Sequence, residues 1–196
     1  PSENAAAKQI VMTVTETLIS LENRLNALDA KVGDGDTGST FAEGARDIKN
    51  QLDAGQLPLN DTGALLLLIG ERLATVMGGS SGVLMSIFFT AAGQKVAEGE
   101  PLPQALQVGL QQMQRYGGAD LGDRTLIDAL QPALDVLAEQ GLEGAARAAK
   151  QGADDTAQIH KANAGRSSYV NSENLSGVPD PGAVAVAEVF GALIKR

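Results

Sequence analysis

The sequence predicts an all-α fold, an eight-helix antiparallel up-and-down barrel or bundle with a functional site at one end. Apolar residues recur every three or four positions along most of the chain, which is the helical period. No segment shows a sustained alternation of two between turn residues, as a half-buried strand would. Every break is a cluster of Gly, Pro, Ser or Asp, and short links between helices are typical of an antiparallel bundle. With 196 residues, one domain spanning 1–196 is expected.

The first two predicted helices flank a glycine-rich loop. The first helix carries one apolar stripe, which stops next to Asp29. After the loop, Thr40 and Glu43 have the spacing of a capping box, which predicts that the second helix begins there. The stripe of the first helix consists of Val11, Val14, Leu18, Leu21, Leu25 and Leu28, and that of the second consists of Phe41, Ala45, Ile48 and Leu52.

The next three helices are delimited by capping residues and a proline. Asp61 is the predicted N-cap of the third helix. Ser80 or Ser81 is the predicted N-cap of the fourth, which reaches Gly99. Pro103 lies where a fifth helix begins, a position at which its missing N–H costs nothing.

The last three helices are separated by glycine and proline. Pro132 cannot donate a hydrogen bond to the Asp128 carbonyl, so we expect it to bend the sixth helix, which Gly141 ends. Alanine-rich Gly144–Lys161 is the predicted seventh helix, whose small side chains permit close helix contact. Pro181 opens the eighth helix.

Composition argues against two classes of partner. A net charge of −9 disfavours nucleic acid and anionic membranes, which attract clustered Lys and Arg. The uncharged stretch 73–94 is cut by the Gly-Ser segment 78–82 into pieces too short to span a bilayer. The lack of cysteine fits a reducing compartment, and no signal peptide is visible, so we expect a cytoplasmic protein.

The chain begins with Pro1, which suits either a processed chain or a domain of a longer polypeptide.

The loop Val32–Thr40 has the features of a metal site. Asp34 and Asp36 are two positions apart, so in an extended loop their side chains converge on one ion, and Asp29 approaches from the preceding helix. The glycines between them allow backbone angles that a side chain would forbid. Three neighbouring carboxylates repel one another unless a cation lies between them. Magnesium suits such a site, because it takes oxygen ligands and shares itself with substrate phosphates.

One alternative interpretation of this loop is open. The loop is also compatible with an ordinary turn that ends in an N-cap. An EF-hand calcium loop, in contrast, does not fit: counted from Asp34, glycine falls one position early at Gly38, and position twelve is Ala45 instead of Glu.

The segment 78–82 is a candidate anion site. Backbone N–H groups and the positive end of a helix dipole lie at such a junction of a flexible loop and an apolar helix. It is not a Walker A loop, since no lysine occurs between Lys49 and Lys95. An ordinary helix hairpin is the alternative.

Further glycine-containing links carry charged residues and would form either nucleotide-lining loops or capped turns: 117–125, 163–166 and 180–182. In an up-and-down bundle, the links after helices one, three, five and seven lie at the same end. That parity places the aspartate loop, the segment 78–82, Arg124 and Arg166 on one rim, which Asp180 also faces. His160 is the sole histidine and has no second His or Cys for a metal site or a triad.

Taken together, these motifs resemble the nucleotide-binding L domain, or L subunit, of dihydroxyacetone kinases. The matching stretches are LDAKVGDGDTGST, GERLATVMGGSSGVLMSIFFTAAGQ, YGGADLGDRTLIDALQPAL, KANAGRSSY and DPGA, and they span nearly the whole chain in order. The resemblance implies an eight-helix barrel that holds Mg-ATP at one end, with Asp29, Asp34 and Asp36 binding two magnesium ions. It further implies that these aspartates and Arg166 serve catalysis.

The resemblance also implies a set of nucleotide contacts. Phosphates would be bound at the start of the second helix and at the Ser-Ser pair, and the base and ribose at the later links. The implied residues are Thr37, Gly38, Ser39, Thr40, Ser80, Ser81, Gly117, Thr125, Leu126, Arg166, Asp180, Pro181 and Gly182.

Dihydroxyacetone, in the same family, is held covalently through a histidine of a separate K domain or subunit, which nothing here resembles. The chain alone is therefore expected to bind ATP without phosphorylating the ketone, and the full enzyme is expected to be a homodimer. Thr37 favours the ATP-dependent branch, since the phosphotransferase branch often has histidine at this position. The missing initiating methionine agrees, since in the ATP-dependent branch the L domain usually follows a K domain on one chain. The alternatives are the ADP-carrying L subunit of that second branch and a non-catalytic helical metal-binding or interaction module.

Overall fold

The computed structural model describes residues 3–159, 175 and 177–195, and these residues form eight α-helices and no β-strand. The predicted all-α class is therefore confirmed. Among the described residues, no helix has the length and apolar character needed to cross a membrane. The helices are α1 (Glu3–Ser20), α2 (Glu22–Val32), α3 (Thr37–Asp53), α4 (Thr62–Val76), α5 (Gly79–Ala97), α6 (Leu102–Gly117), α7 (Ile127–Thr156) and α8 (Pro181–Ile194).

The chain divides into two compact units. The first unit comprises Pro1–Ile19 and Thr40–Gly117, and the second comprises Ser20–Ser39 and Gly118–Arg196. The single domain expected from chain length stays a prediction.

In the first unit, α5 packs against both α4 and α6 at glycines. A Cβ on Gly70 of α4 would lie 2.5 Å from the Thr90 hydroxyl oxygen, and one on Gly109 of α6 would lie 2.5 Å from the Phe88 carbonyl oxygen. Both distances are far below van der Waals contact. Glycine at these two positions is what allows the neighbouring helices to approach so closely.

In the second unit, α7 packs against α8 through a core made mostly of alanines. This confirms the expectation that the alanine-rich segment makes close helix contacts. Small side chains bring two helix axes together and leave little room for substitution. The buried members of this cluster are Ala129, Ala133, Ala145, Ala149, Ala153, Ala183 and Ala187.

The predicted break at Gly141 is present, although α7 continues on both sides of it. Gly141 has φ 67° and ψ −168°, so α7 consists of two helical segments joined at a kink. The first segment contains Pro132. The second ends at Thr156 with Ala157 as its C-cap, so the end predicted at Lys161 is wrong by five positions.

Predictions about three other helices are also wrong. The first helix is interrupted at Leu21, where the sequence shows no helix breaker. The second predicted helix, α3, begins at Thr37 and not at Thr40, because side chains of α2 bind its first N–H groups. The fourth, α5, begins at Gly79 after the extended residue Gly78, so no serine side chain caps it. The N-cap predicted at Asp61 is confirmed: its carboxylate accepts from the N–H of Ala64.

Candidate functional site

The three aspartates predicted to bind metal form one cluster in the second unit. Asp29 lies in the last turn of α2, and Asp34 and Asp36 lie in the loop that follows. One carboxylate oxygen of each residue lies within 4.8 Å of the others. Asp29 is buried, whereas Asp34 and Asp36 are exposed. Carboxylates this close repel one another, and a divalent cation with oxygen ligands relieves that repulsion.

Asp29 also fixes the shape of the loop. Its Oδ2 accepts the backbone N–H of Asp36 at 2.9 Å and that of Thr37 at 3.0 Å. Gly35 has φ 82°, a left-handed conformation that glycine adopts without strain. The loop therefore turns back onto α2, and this turn carries Asp34 and Asp36 toward Asp29.

The residues predicted to contact phosphates after this loop form the first turn of α3. Thr37, Gly38 and Ser39 belong to the second unit, and Thr40 belongs to the first. Asn26 of α2 binds Ser39 at two points: its Oδ1 accepts the backbone N–H at 2.9 Å, and its Nδ2 donates to the hydroxyl at 3.0 Å. The sequence analysis missed Asn26, because a helix N-terminus gives no sign that its cap comes from another helix.

A second group of predicted residues surrounds the start of α8. The Asp180 carboxylate accepts from the N–H of Ala183 at 2.9 Å, which makes Asp180 the N-cap. The backbone N–H of Asp180 donates to the Thr156 hydroxyl at 2.8 Å. Gly182 packs against Leu126, where an added Cβ would lie 3.1 Å from the Leu126 Cβ. Leu126 and the segment 180–182, both predicted to bind nucleotide, are therefore neighbours.

Asp128 organises the link before α7 and was also missed. Its carboxylate accepts the backbone N–H of Gly122 at 2.7 Å and that of Thr125 at 2.9 Å. In return, the Thr125 hydroxyl accepts from the N–H of Ile127 at 3.2 Å. The Thr-x-x-Asp spacing is that of a capping box, so the sequence did contain this signal.

Arg124, which the order of the links predicted on the same rim as the aspartate loop, is buried. It is 1% exposed and has φ 65°, the one described non-glycine residue with positive φ. Its Nη2 donates to the carbonyls of Leu175 and Val178, and its Nη1 lies 3.9 Å from the Asp180 carboxylate. The guanidinium thus binds the segment that leads into α8.

Burial dominates the electrostatics of this pair. It raises the pKa of Asp180 from 3.8 to about 7, against the opposing effects of the Ala183 N–H and Arg124. The carboxylates of Asp128 and Asp29 raise the pKa of Asp180 further. Burial also lowers the pKa of Arg124, while Asp180 and Asp128 oppose that shift.

The remaining predicted residues are in the first unit or outside the described residues. Ser80 and Ser81 lie in the first turn of α5, and Gly117 is the last residue of α6. Arg166 and His160 lie outside the described residues. The single rim and the nucleotide contacts stay predictions.

An all-α domain with clustered carboxylates beside a helix N-terminus defines a class of candidate metal- and phosphate-binding proteins. Within that class, this chain belongs to the DAK2 domain family, whose family model matches residues 31–195. The resemblance to the L-type domain of dihydroxyacetone kinases is thereby confirmed.

Similar proteins carry kinase names. The chain is 62% identical to dihydroxyacetone kinase of Citrobacter freundii, covering 100% of this chain and 36% of the relative. It is 40% identical to triokinase/FMN cyclase of Rattus norvegicus, covering 97% of this chain and 35% of the relative. The chain therefore spans about a third of the length of these relatives.

Two crystal structures of the C. freundii dihydroxyacetone kinase are similar over the whole chain. The native form matches with a TM-score of 0.89 at 57% identity, covering 100% of this chain and 35% of that one. The complex with AMP-PNP and Mg²⁺ matches with a TM-score of 0.87 at 56% identity, covering 100% and 34%.

Proposed function

We propose that this chain is the Mg-ATP-binding part of an ATP-dependent dihydroxyacetone kinase. It donates the γ-phosphoryl group of ATP to dihydroxyacetone that is held by a separate K domain or subunit. The observation that carries this proposal is the cluster of Asp29, Asp34 and Asp36, with carboxylate oxygens within 4.8 Å of one another at the start of α3. The similarity to a kinase solved with AMP-PNP and Mg²⁺ supports it.

In this proposal, Asp29, Asp34 and Asp36 bind magnesium, two ions in all, which neutralise the phosphate charge that the acidic chain would otherwise repel. The first turn of α3 binds phosphate oxygens, because a helix N-terminus presents N–H groups and a positive dipole end. Ser80 and Ser81 occupy the same position on α5 and have the same role. Arg166 assists at the transferred phosphoryl group.

The base and ribose side of the proposed site uses the links before α7 and α8. Leu126 and Gly182 already lie against each other, and Thr125, Asp180 and Pro181 flank them. Gly117 completes the set. Asp128 and Arg124 hold the two links in place without contacting the nucleotide.

Phosphoryl transfer requires alignment and charge neutralisation more than a side-chain nucleophile. The hydroxyl oxygen of dihydroxyacetone forms the new bond to the γ-phosphorus, the bond between the γ-phosphorus and the β-phosphate oxygen of ADP breaks, and the hydroxyl proton is released to water. The chain has one histidine and no cysteine, which agrees with a domain that supplies the phosphoryl donor only. The full enzyme in this proposal is a cytoplasmic homodimer.

Reconstitution tests the proposal. The chain is mixed with a dihydroxyacetone-binding K component, Mg-ATP and dihydroxyacetone, and dihydroxyacetone phosphate is measured. Product is expected only when both components are present, and substantial turnover by the chain alone would contradict the division of labour. Dialysis of the isolated chain distinguishes the alternatives: a substrate ATP is lost, whereas the permanently held ADP of a phosphotransferase-dependent subunit remains.

A further inference from the structure

Asn26 contacts Ser39 at two points although the residues are thirteen positions apart. Asn26 is in α2, one helical turn before Asp29, and Ser39 is in the first turn of α3. The two hydrogen bonds, of 2.9 and 3.0 Å, involve both the backbone N–H and the hydroxyl of Ser39. One side chain therefore fixes both the position of Ser39 and the role of its hydroxyl as acceptor or donor in this contact.

The direction of each hydrogen bond follows from the groups themselves. A backbone N–H only donates, so the amide atom of Asn26 that faces it is the oxygen Oδ1. The other amide atom is then the nitrogen, which also only donates. The hydroxyl oxygen of Ser39 consequently accepts from Asn26, and its own hydrogen is not used in this contact.

Close packing keeps this contact in place. A Cβ on Gly38 would lie 2.0 Å from the Glu22 carbonyl oxygen and 2.7 Å from Oδ1 of Asn26. Because only glycine fits there, the first turn of α3 lies directly against α2. The distance between Asn26 and Ser39 is therefore set by backbone packing and not by two mobile side chains.

We propose that Asn26 is a positioning residue that orients the Ser39 hydroxyl as a hydrogen-bond donor to a phosphate oxygen of the nucleotide. The inference rests on the proposed function. Phosphate oxygens only accept, so they require a hydroxyl whose hydrogen is available. A helical serine otherwise tends to donate to a carbonyl of the preceding turn. The amide of Asn26 fills the acceptor side of the hydroxyl and leaves the hydrogen for the ligand.

The substitution Asn26→Asp separates this role from simple capping. The new carboxylate has nearly the same shape and still accepts the N–H of Ser39, and a negative charge near a helix N-terminus is favourable. It also accepts at the hydroxyl, however, so the Ser39 hydrogen turns toward it and away from the nucleotide. Asn23→Asp is the matched control, because Asn23 is exposed on the same helix one turn earlier.

Calorimetric titration with Mg-AMP-PNP measures the effect. Asn26→Asp is expected to bind about tenfold or more weakly than Asn23→Asp, as the loss of a hydrogen bond to a charged acceptor implies, with an unchanged melting temperature. With Ser39→Ala as background, the same substitution is expected to change affinity by no more than about threefold. Asn26→Ala and Ser39→Ala form a second double-mutant cycle. In it, the double variant is expected to bind Mg-AMP-PNP no more weakly than the Ser39→Ala variant alone.

Three results would overturn the inference. Equal affinity of the Asn26→Asp and Asn23→Asp variants would show that the hydroxyl orientation is irrelevant. The same loss with and without the Ser39 hydroxyl would assign the effect to charge alone. Failure of the unsubstituted chain to bind Mg-AMP-PNP at all would overturn the proposed function together with this role, so the two failures are distinguishable.

Discussion

Nη1 of Arg124 lies 3.9 Å from Oδ1 of Asp180, and both side chains are buried. This distance exceeds that of a hydrogen bond, so the guanidinium attracts the carboxylate without donating to it directly. Burial therefore outweighs the attraction, and the pKa of Asp180 rises to about 7. The carboxylates of Asp128 and Asp29 act in the same direction as burial.

Asp180 is expected to make stability depend on pH. Because the folded-state pKa is raised from 3.8, the folded chain binds this proton more tightly than the unfolded chain. The resulting stabilisation is complete below the unfolded pKa and is lost as pH rises through about 7. Chemical denaturation without magnesium or nucleotide should show the free energy of unfolding falling with rising pH, by at most ~4 kcal/mol.

Asp180→Asn removes the titrating group and keeps an oxygen that can cap α8, so this variant should lose most of that slope. Asp53→Asn is the control, because Asp53 is exposed, pairs with Lys49 and belongs to the first unit, whereas Asp180 belongs to the second. It should keep the slope of the unsubstituted chain. An unchanged slope in Asp180→Asn would contradict the assignment.

Replacing Arg124 by methionine should destabilise the second unit strongly. The variant leaves the carbonyls of Leu175 and Val178 without their donor and leaves Asp180 buried without its nearest cation. Removing one partner of a buried ion pair commonly costs about 3 kcal/mol or more. Urea unfolding measures the loss. The double variant with Asp180→Asn should recover part of it, since a neutral amide needs no counter-charge; a fully additive loss would refute the coupling.

Helix starts were predictable from sequence where the cap is local. Asp61 and Asp180 both accept from an N–H three residues later. The cap at Asp61 and the start of the last helix at Pro181 are where the sequence placed them. The start of α3 was not predictable in this way, because its caps, Asn26 and Asp29, are side chains of another helix. A local capping-box pattern at Thr40 therefore gave the wrong start.

In the candidate site, too, contacts that are local in sequence could be predicted and distant ones could not. The three aspartates lie within eight residues of one another, so their convergence could be predicted from loop geometry alone. Arg124 is different, because its partners Leu175 and Val178 are fifty or more positions away and nothing near it in sequence indicates burial. Residues that organise a site through distant contacts leave no periodic or motif signal.

Gly152→Ala should destabilise the chain, because Gly152 lies directly against the backbone of the first segment of α7. Pro132 cannot donate to the Asp128 carbonyl, and that carbonyl faces Gly152 from the first segment of α7. A Cβ on Gly152 would lie 2.0 Å from the carbonyl oxygen, so the two segments of α7 would have to separate. We expect a loss of about 2 kcal/mol or more in thermal or urea unfolding.

Gly191→Ala is the matched control for this prediction. Gly191 is also helical, but an added Cβ there meets nothing within 4 Å. Alanine should stabilise that position by up to ~1 kcal/mol, because it favours helix over the unfolded chain. Equal effects of the two substitutions would show that the approach of Gly152 to Asp128 does not matter.

Magnesium should stabilise the folded chain. It should also reverse the order of the melting temperatures of the Asp34→Asn variant and the unsubstituted chain. Without the ion, the three carboxylates repel one another, so the variant with one fewer charge should melt at a slightly higher temperature. With magnesium at a hundred times its dissociation constant, the unsubstituted chain should gain ~2.7 kcal/mol, and the variant should gain much less. This reversal is informative because simple destabilisation of the variant would lower its melting temperature both with and without magnesium. A nonspecific salt effect would raise the melting temperatures of the variant and of the unsubstituted chain alike. Asp36→Asn should behave like Asp34→Asn, and Asp53→Asn should respond to magnesium as the unsubstituted chain does. If magnesium shifts all four proteins equally in differential scanning calorimetry, the cluster at Asp29, Asp34 and Asp36 is an ordinary turn, and the proposed phosphate chemistry has no metal to support it.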